Sequence, residues 1–402
     1  MKEQFTILCI SSYEKGHDFM HQCKEEGARV FLLTSKSLED AAWPKEAIDD
    51  IFYINDIDKQ WKMEDVIYGV SFLSRKYKLH RVVALDDFDV EKAASLREHL
   101  RTAGMGDTTA RYFRDKLAMR IRAKEVGIMV PDFIHVLNHN EVNDFMERNE
   151  PPYVLKPRLQ AGAIGIKKIN HKDEFWDVAN LLGDQQSFYL LEKFVPGDIY
   201  HADTIVYNNN IEFALVSEYG KPPMEIAHEG RVFSTKTVKR ATKLEKEIQE
   251  MNKKIINSLG LLRGVSHTEF IKAHSDGKIY FLETSARVGG ANIHELVKAA
   301  SGIDLWREWA KIEVSSELKG YKLPKTKDDY AGLIISLAKQ DWPNLDNYNE
   351  KEIVWKLHKK YHAGLVFSSS KIEKINSLME EYTKRFYNDF FTSQPLPDNP
   401  TA

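Results

Sequence analysis

Over its first hundred residues the chain alternates short apolar runs with longer segments of mixed polarity. The runs are "QFTILCI", "ARVFLLT", "DDIFYIN" and "HRVVALD", and a polar-faced segment over residues 15–27 separates the first two. β-rich runs separated by helical spacers predict a parallel sheet with crossover helices. The loop after the first run, "SSYEKGHDF", lacks the G-x-G-x-x-G spacing. A dinucleotide site is therefore disfavoured there, even on a Rossmann-like sheet.

The pattern changes at Asp107. Residues 107–130 read as one helix closing at Gly127, with Pro131 just beyond. Residues 131–195 then hold "FIHVL", a helix over "NEVNDFMERN", "YVLKP", "AIGIKKI", a helix over 172–183, and "FYLLEKFV". That order predicts a small α+β lobe with paired strands. The runs "DIYHADTIVYNN" and "IEFALVSEYG" form a hairpin through Asn208, Asn209 and Asn210. The polar stretch "KPPMEIAHEGRVFSTKT" reads as a long surface loop of the functional kind. A helix over 240–258 closes on Gly260, and "GVSHTEFIKA" and "KIYFLETSA" make a second hairpin around "HSDG". Beyond Tyr330 come "YAGLIISLA", "YHAGLVFSS", a helix near 371–388 and a Pro-rich tip.

Bulk properties narrow the classes. A chain of 402 residues can bury a large core and suggests two or three domains. Lys and Arg total 57 against 60 Asp and Glu, a net charge of −3, so no overall positive field holds nucleic acid. Cys9 and Cys23 are the only cysteines, which excludes a disulfide framework and fits a reducing compartment. The opening apolar stretch is too short for a signal-peptide core, and no window approaches the roughly 18 apolar residues of a membrane span. A cytoplasmic protein without nucleic-acid or membrane partners is expected.

Candidate chemistry begins at "YVLKPRLQAGAIGIKKI", where a strand-end lysine, Lys156, precedes Gly162 and Gly165. Glycines admit close backbone approach and lysine supplies point charge, so a phosphate is the first suspect, although no Walker spacing is present. In the second hairpin Glu269 and Glu283 fall on successive strands about a turn near Asp276 and Gly277. Two carboxylates side by side are costly unless a cation lies between them, and hard oxygen ligands suit Mg²⁺. Arg287 follows four residues after Glu283, where a guanidinium could bind phosphate or a substrate carboxylate, and Gly289 and Gly290 permit close approach. In the long loop, His228 is a candidate proton acceptor and Arg231 a carboxylate clamp.

This ordered set resembles the ATP-grasp superfamily, and within it the carboxylate-amine ligases such as L-amino-acid ligases and biotin-carboxylase-like enzymes. The likeness runs over residues 80–310. It implies an α/β plus α+β chain, with a Rossmann-like domain ahead of a two-lobed ATP-grasp fold. The implied divisions are residues 1–106, a small lobe at 107–195, a large lobe at 196–310, and an α+β part at 311–402 that completes the large lobe. "RDKLAMR" and "YVLKP" look like the family's two ATP lysines, implying Lys116 and Lys156. "AGAIGI", with Gly162 and Gly165, corresponds to its glycine-rich loop over the phosphates. "LLEKFVPGD" looks like the hinge: Glu192 begins it, the backbone of Lys193, Phe194 and Val195 reads adenine, and Asp198 falls on the ribose hydroxyls. Glu269 and Glu283 fall on the Mg²⁺ (or Mn²⁺) ligands, and Arg287 on the arginine that binds the transferring phosphoryl group. The family commonly writes Glu-x-Asn-x-Arg where this chain has Ser285. Serine still offers an oxygen, but to a weaker or differently filled second metal site.

The resemblance implies an enzyme that uses ATP to turn a small-molecule carboxylate into an acyl phosphate and joins it to an amine, working as a possible homodimer. The rivals are a carboxylase-type enzyme acting on bicarbonate and a non-catalytic ATP-binding regulator on the same fold.

Overall fold

The computed structural model describes residues 4–57, 60–222, 232–315 and 320–393. Strands β1 (Thr6–Ser11), β2 (Arg29–Ser35), β3 (Asp50–Ile54) and β4 (Arg81–Ala84) form a parallel sheet in the order β3-β2-β1-β4. Every residue of β1 is buried, because its alternate side chains enter two different cores. Ile7 and Cys9 pack with Phe19 and Cys23 of α1 (His17–Glu25), whereas Leu8 and Ile10 pack with Val66 of α2 (Met63–Ser74) and Val90 of α3 (Val90–Leu100). Burial on both faces is why the strand reads as a continuous apolar run.

A second sheet is antiparallel, with β5 (Phe133–His135), β6 (Tyr153–Pro157), β7 (Lys167–Ile169) and β8 (Tyr189–Lys193) in the order β5-β8-β6-β7. Its inner face packs Tyr153, Leu155 and Leu191 on Phe145 of α6 (His139–Arg148) and Phe175 of α7 (Lys172–Leu182).

The third sheet has eight strands. They are β9 (Gly197–Tyr207), β10 (Asn210–Tyr219), β11 (Phe233–Thr237), β12 (Gly264–Ala273), β13 (Ile279–Ser285), β14 (Tyr330–Leu337), β15 (Ile353–Lys356) and β16 (His362–Ser369). Their order is β13-β12-β9-β10-β11-β14-β16-β15, so the strands beyond residue 330 extend the sheet that begins at residue 197. Asn208 and Asn209 turn β9 into β10 with φ of 49° and 64°, the left-handed pair a tight hairpin requires. Helix α8 (Lys243–Leu259) covers one face through Ile248, Ile255 and Leu259. Helices α9 (Ile293–Ser301) and α10 (Leu305–Ser315) cover the other, and Trp309 of α10 meets Phe19 of α1 edge-on at 5.0 Å between ring centroids. α11 (Ile372–Asp389) packs on β14 and β16. Among the described residues, no helix is long and apolar enough to cross a membrane.

Four sequence expectations need correction. The single helix over 107–130 is two, α4 (Asp107–Arg111) and α5 (Lys116–Glu125). Asp115 caps the second by accepting the amide protons of Leu117 and Ala118 at 3.0 and 3.4 Å. An N-cap restarts the helix, and the restart sets Lys116 at its first position. "AIGIKKI" is strand only from Lys167, since Gly162, Ala163 and Gly165 hold positive φ in the preceding turn. The supposed surface loop ends in a strand. β11 runs inside the sheet, paired to β10 and β14, and its polar appearance is met internally: the Thr235 hydroxyl donates to the Glu218 carbonyl at 3.1 Å. Residues 291–315, given no elements from the sequence, form α9 and α10, separated at Gly302 in the left-handed region.

Candidate active site

A cleft of about 690 Å³ lies between the four-stranded antiparallel sheet and the β9–β13 half of the large sheet. A larger groove of about 1040 Å³ runs between β11 and α11, but among its described lining residues the only carboxylate is Glu380. Lys116, Lys156, Glu269, Glu283 and Arg287 all line the cleft.

On its small-lobe side, Lys156 is the penultimate residue of β6 and is nearly buried. Its Nζ lies 2.5 Å from Glu192 Oε2 on the neighbouring strand β8. Arg120, fully buried on α5, donates its Nε to Glu192 Oε1 at 2.6 Å. Burial pushes the Glu192 carboxyl up, but Arg120 and Lys156 outweigh it and hold the group below the usual carboxylate range. Burial lowers the Lys156 ammonium, with Glu192 opposing. Lys116 Nζ donates to the Gln160 carbonyl at 2.6 Å and sits 3.0 Å from Glu283 Oε2. Both candidate ATP lysines thus face the cleft on carboxylates.

The glycine-rich turn borders the same space through Gly162, Ala163 and Ile166. Gly162 has φ 67° and nothing within 4 Å of a Cβ placed on it; Gly165 has φ 71° and packs on Pro157. Lys167 and Lys168 are exposed on β7, and Lys168 Nζ stands 4.4 Å above the Phe194 ring. Lys193, Phe194, Val195 and Asp198 line the cleft, and Asp198 Oδ1 is 3.2 Å from His274 Nε2.

On the large-sheet side, Glu269 of β12 stands directly opposite Glu283 of β13 in the antiparallel register. His267 stands opposite Ser285, so four residues alternate onto one face. Arg287 follows β13. Its Nη1 donates to the Val288 carbonyl at 2.9 Å, while its Nε is buried with no hydrogen-bond partner. Burial opposes the Arg287 charge, but Asp87 and Asp86 hold its pKa above the ordinary value. Asp87 comes from the end of the parallel sheet. Its Oδ2 accepts from Arg114 at 2.7 Å, and its buried Oδ1 has no partner.

Paired carboxylates, lysines resting on carboxylates and a buried guanidinium atom without a partner are the donor set that a polyphosphate with a divalent cation completes. The residues present fit ATP and Mg²⁺.

Gly290 lines the cleft, but Gly289 does not. A Cβ on Gly289 would meet His267 Nδ1 at 2.9 Å and Asp203 Oδ1 at 3.0 Å. Its lack of a side chain serves a protein contact rather than the expected substrate approach. His228 and Arg231 lie outside the described residues.

Sequence reasoning missed a buried network under the cleft floor. Asp203 of β9 accepts from His201 Nδ1 at 2.7 Å and from His267 Nδ1 at 2.9 Å. His201 Nε2 reaches Thr235 Oγ1 at 2.8 Å, and the Tyr219 hydroxyl lies 3.2 Å from His267 Nε2. Tyr219 donates to Glu269 Oε1 at 2.9 Å. Burial works against His267's charge, but Asp203 overrides it and raises the imidazole to about 9. Burial likewise raises Asp203, and the two imidazoles bring it well below the carboxylate range. The one available signal was the i, i+2 pair His201 and Asp203 inside an apolar strand, where two polar side chains share a face.

Residues 113–291 match the family model of the ATP-grasp domain. The L-arginine-specific L-amino acid ligase of Bacillus subtilis is 24% identical over 272 residues, which cover 66% of this chain and 64% of that protein. The match thus spans just under two thirds of that relative's length. Among solved structures, the L-amino acid ligase from Bacillus licheniformis superposes with a TM-score of 0.75 at 18% identity, covering 98% of this chain and all of that one. The N5-carboxyaminoimidazole synthetase from Staphylococcus aureus gives 0.72 at 17% identity, covering 96% and 98%. With a parallel sheet ahead of two antiparallel sheets that enclose the cleft, and with the domain match lying across that cleft, residues 113–291 are an ATP-grasp domain.

Proposed function

We propose that this protein is a Mg-ATP-dependent ligase that activates a carboxylate to an acyl phosphate, couples it to an amine, and releases ADP and phosphate. The observation that carries the reading is the cross-strand pairing of Glu269 with Glu283, set in one cleft with Lys116, Lys156 and Arg287. The L-amino acid ligases among its relatives favour amino acids as substrates.

On this reading Glu269 and Glu283, with Ser285 beside them, hold Mg²⁺, which supplies positive charge to the phosphate oxygens. Lys116 and Lys156 exchange part of their carboxylate contacts for phosphate, and Arg287 meets the γ-phosphoryl group as the substrate carboxylate attacks in line. Charge fixed before the reaction costs no reorganisation during it, which makes this the main source of rate in phosphoryl transfer. The backbone of Lys193–Val195 reads the adenine and Asp198 the ribose. Closure of the glycine-rich turn over the phosphates keeps water from the acyl phosphate.

The test is ADP formation against a panel of amino acids, singly and in pairs, with hydroxylamine added to trap the acyl phosphate. ADP that depends on a carboxylate and amine pair, and a trapped hydroxamate, support the ligase. ADP with bicarbonate alone supports a carboxylase, no ADP with any substrate supports a non-catalytic ATP-binding protein, and AMP as product overturns the acyl-phosphate route.

A further inference from the structure

The buried His201–Asp203–His267 cluster is the one group of three or more His, Cys, Asp or Glu side chains among the described residues with ligand atoms close enough to hold a metal ion. Its hydrogen bonds give it another task. Asp203 and His201 are fully buried on β9, and His267 is nearly so on β12. The register sets Asp203 opposite His267 and His201 opposite Glu269, so the cluster and the candidate metal ligand form one patch across two strands. A carboxylate only accepts, so the two oxygens of Asp203 place a proton on Nδ1 of each ring and fix both ring planes. The Nδ1 atoms that a metal would need are already spent on the two oxygens of Asp203.

Fixing the His267 ring fixes its Nε2, which lies 3.2 Å from the Tyr219 hydroxyl and 3.5 Å from Glu269 Oε1. Tyr219 itself donates to that oxygen at 2.9 Å. One oxygen of Glu269 is thereby gripped from two directions, and the residue still lines the cleft. Gly289 closes over the Asp203–His267 contact, where any larger residue would collide with it.

We propose that Asp203 is a positioning residue: by orienting His267, which with Tyr219 grips Oε1 of Glu269, it fixes the Glu269 carboxylate and leaves its other oxygen for the cation. The inference rests on the reading of Glu269 as a metal ligand. It makes the metal site of this chain depend on side chains from β9 and β10, outside the Glu269–Glu283 hairpin. Partners that orient a metal ligand typically change affinity by about 10- to 100-fold when removed.

The test measures Mn²⁺ binding to the full chain in the presence of ADP, by the electron paramagnetic resonance signal of free Mn²⁺, and ADP binding without metal. Four proteins are compared: the wild type and the Glu269→Gln, Asp203→Asn and Tyr219→Phe variants. Glu269→Gln and Asp203→Asn should each weaken Mn²⁺ by about 10-fold or more, and Tyr219→Phe by a smaller factor, with metal-free ADP affinity unchanged. A merely structural Asp203 would lower the unfolding temperature and leave Mn²⁺ affinity per folded molecule at the wild-type value. If Asp203→Asn fails to fold, His267→Gln decides in its place, because it removes the oriented ring and leaves Asp203 its bond from His201. Wild-type Mn²⁺ affinity in the Tyr219 and Asp203 variants, with loss in Glu269→Gln, overturns the positioning role alone. Wild-type affinity in Glu269→Gln overturns the metal assignment beneath it.

Discussion

On the proposed nucleotide side of the cleft a single carboxylate, Glu192, is buried between Arg120 and Lys156; on the proposed metal side a single carboxylate, Asp203, is buried between His201 and His267. Each acceptor-only group bridges two donors, and one donor of each pair, Lys156 or His267, lines the cleft. The donors differ in kind. The Arg120 guanidinium keeps its charge at any working pH, whereas an imidazolium is held only as far as its carboxylate raises its pKa. The first cluster should therefore act as a fixed electrostatic wall and the second as an orienting device whose strength follows pH.

The largest break in this comparison is Glu192→Gln. Removing the bridging charge leaves Arg120 and Lys156 buried and uncompensated, and breaking a buried pair in this way costs about 3–5 kcal/mol. Arg120 already has both terminal nitrogens buried without partners, so it has no alternative acceptor to turn to. Chemical denaturation should show a fall of that order, and ADP affinity should fall with it. A variant as stable as the wild type would mean that the cluster is solvated.

The second break is by pH. His267 faces Asp203, Glu269 and Tyr219, and its ring stands 5.1 Å from that of His201 between centroids. Its folded pKa, about 9, lies above the ordinary 6.5, so the stability it contributes is complete below pH 6.5 and is lost as pH rises toward 9. Asp203 is shifted the other way, so its contribution is present above the ordinary 3.8 and is lost only in acid. Unfolding temperature should decline between pH 6.5 and 9 in the wild type and decline less in Asp203→Asn. Equal slopes would remove the contrast between the two clusters.

The clusters also differ in how far they could be read. Lys156 was legible because it ends an apolar run and is followed by two spaced glycines, and Glu269 and Glu283 because a turn lies midway between them. Those signals are local. The Asp203 network joins side chains from β9, β10, β11 and β12, and only the sheet order brings them together. The same limit explains β11: its Ser and Thr residues look like loop until two flanking strands, one nearly a hundred residues on, satisfy them. It explains Gly289 as well, whose need for a bare Cα arises from residues 22 and 86 positions away, His267 and Asp203. The parallel sheet and the small lobe were legible because their apolar runs are continuous and their spacers are helical. The break at Asp115 was not, since the residues around it keep helical spacing on both sides.

Gly289→Ala tests the metal-side cluster from behind. The added methyl would press on His267 Nδ1 and Asp203 Oδ1 without entering the cleft, and overpacking of this kind costs about 1–3 kcal/mol. Stability and Mn²⁺ affinity should fall together, with metal-free ADP binding unchanged. Loss of stability with Mn²⁺ affinity intact would detach Gly289 from the orientation of Glu269.

The smallest effect should come from a charge at the nucleotide-side rim. Lys168 is exposed and stands over Phe194, one of the cleft residues beside the proposed adenine contact. An exposed cation over a ring contributes about 0.5–1 kcal/mol, and here it can only steady the ring. Lys168→Ala should therefore raise the KM for ATP by a factor of a few and leave kcat unchanged. Lys156 offers the control, because its Nζ is held inside the Glu192 cluster, and its alanine variant should lose kcat by orders of magnitude. If Lys168→Ala also lost kcat, that lysine would belong with the phosphate contacts, and the division between a buried wall of fixed charge and a solvated rim would fail on this side of the cleft.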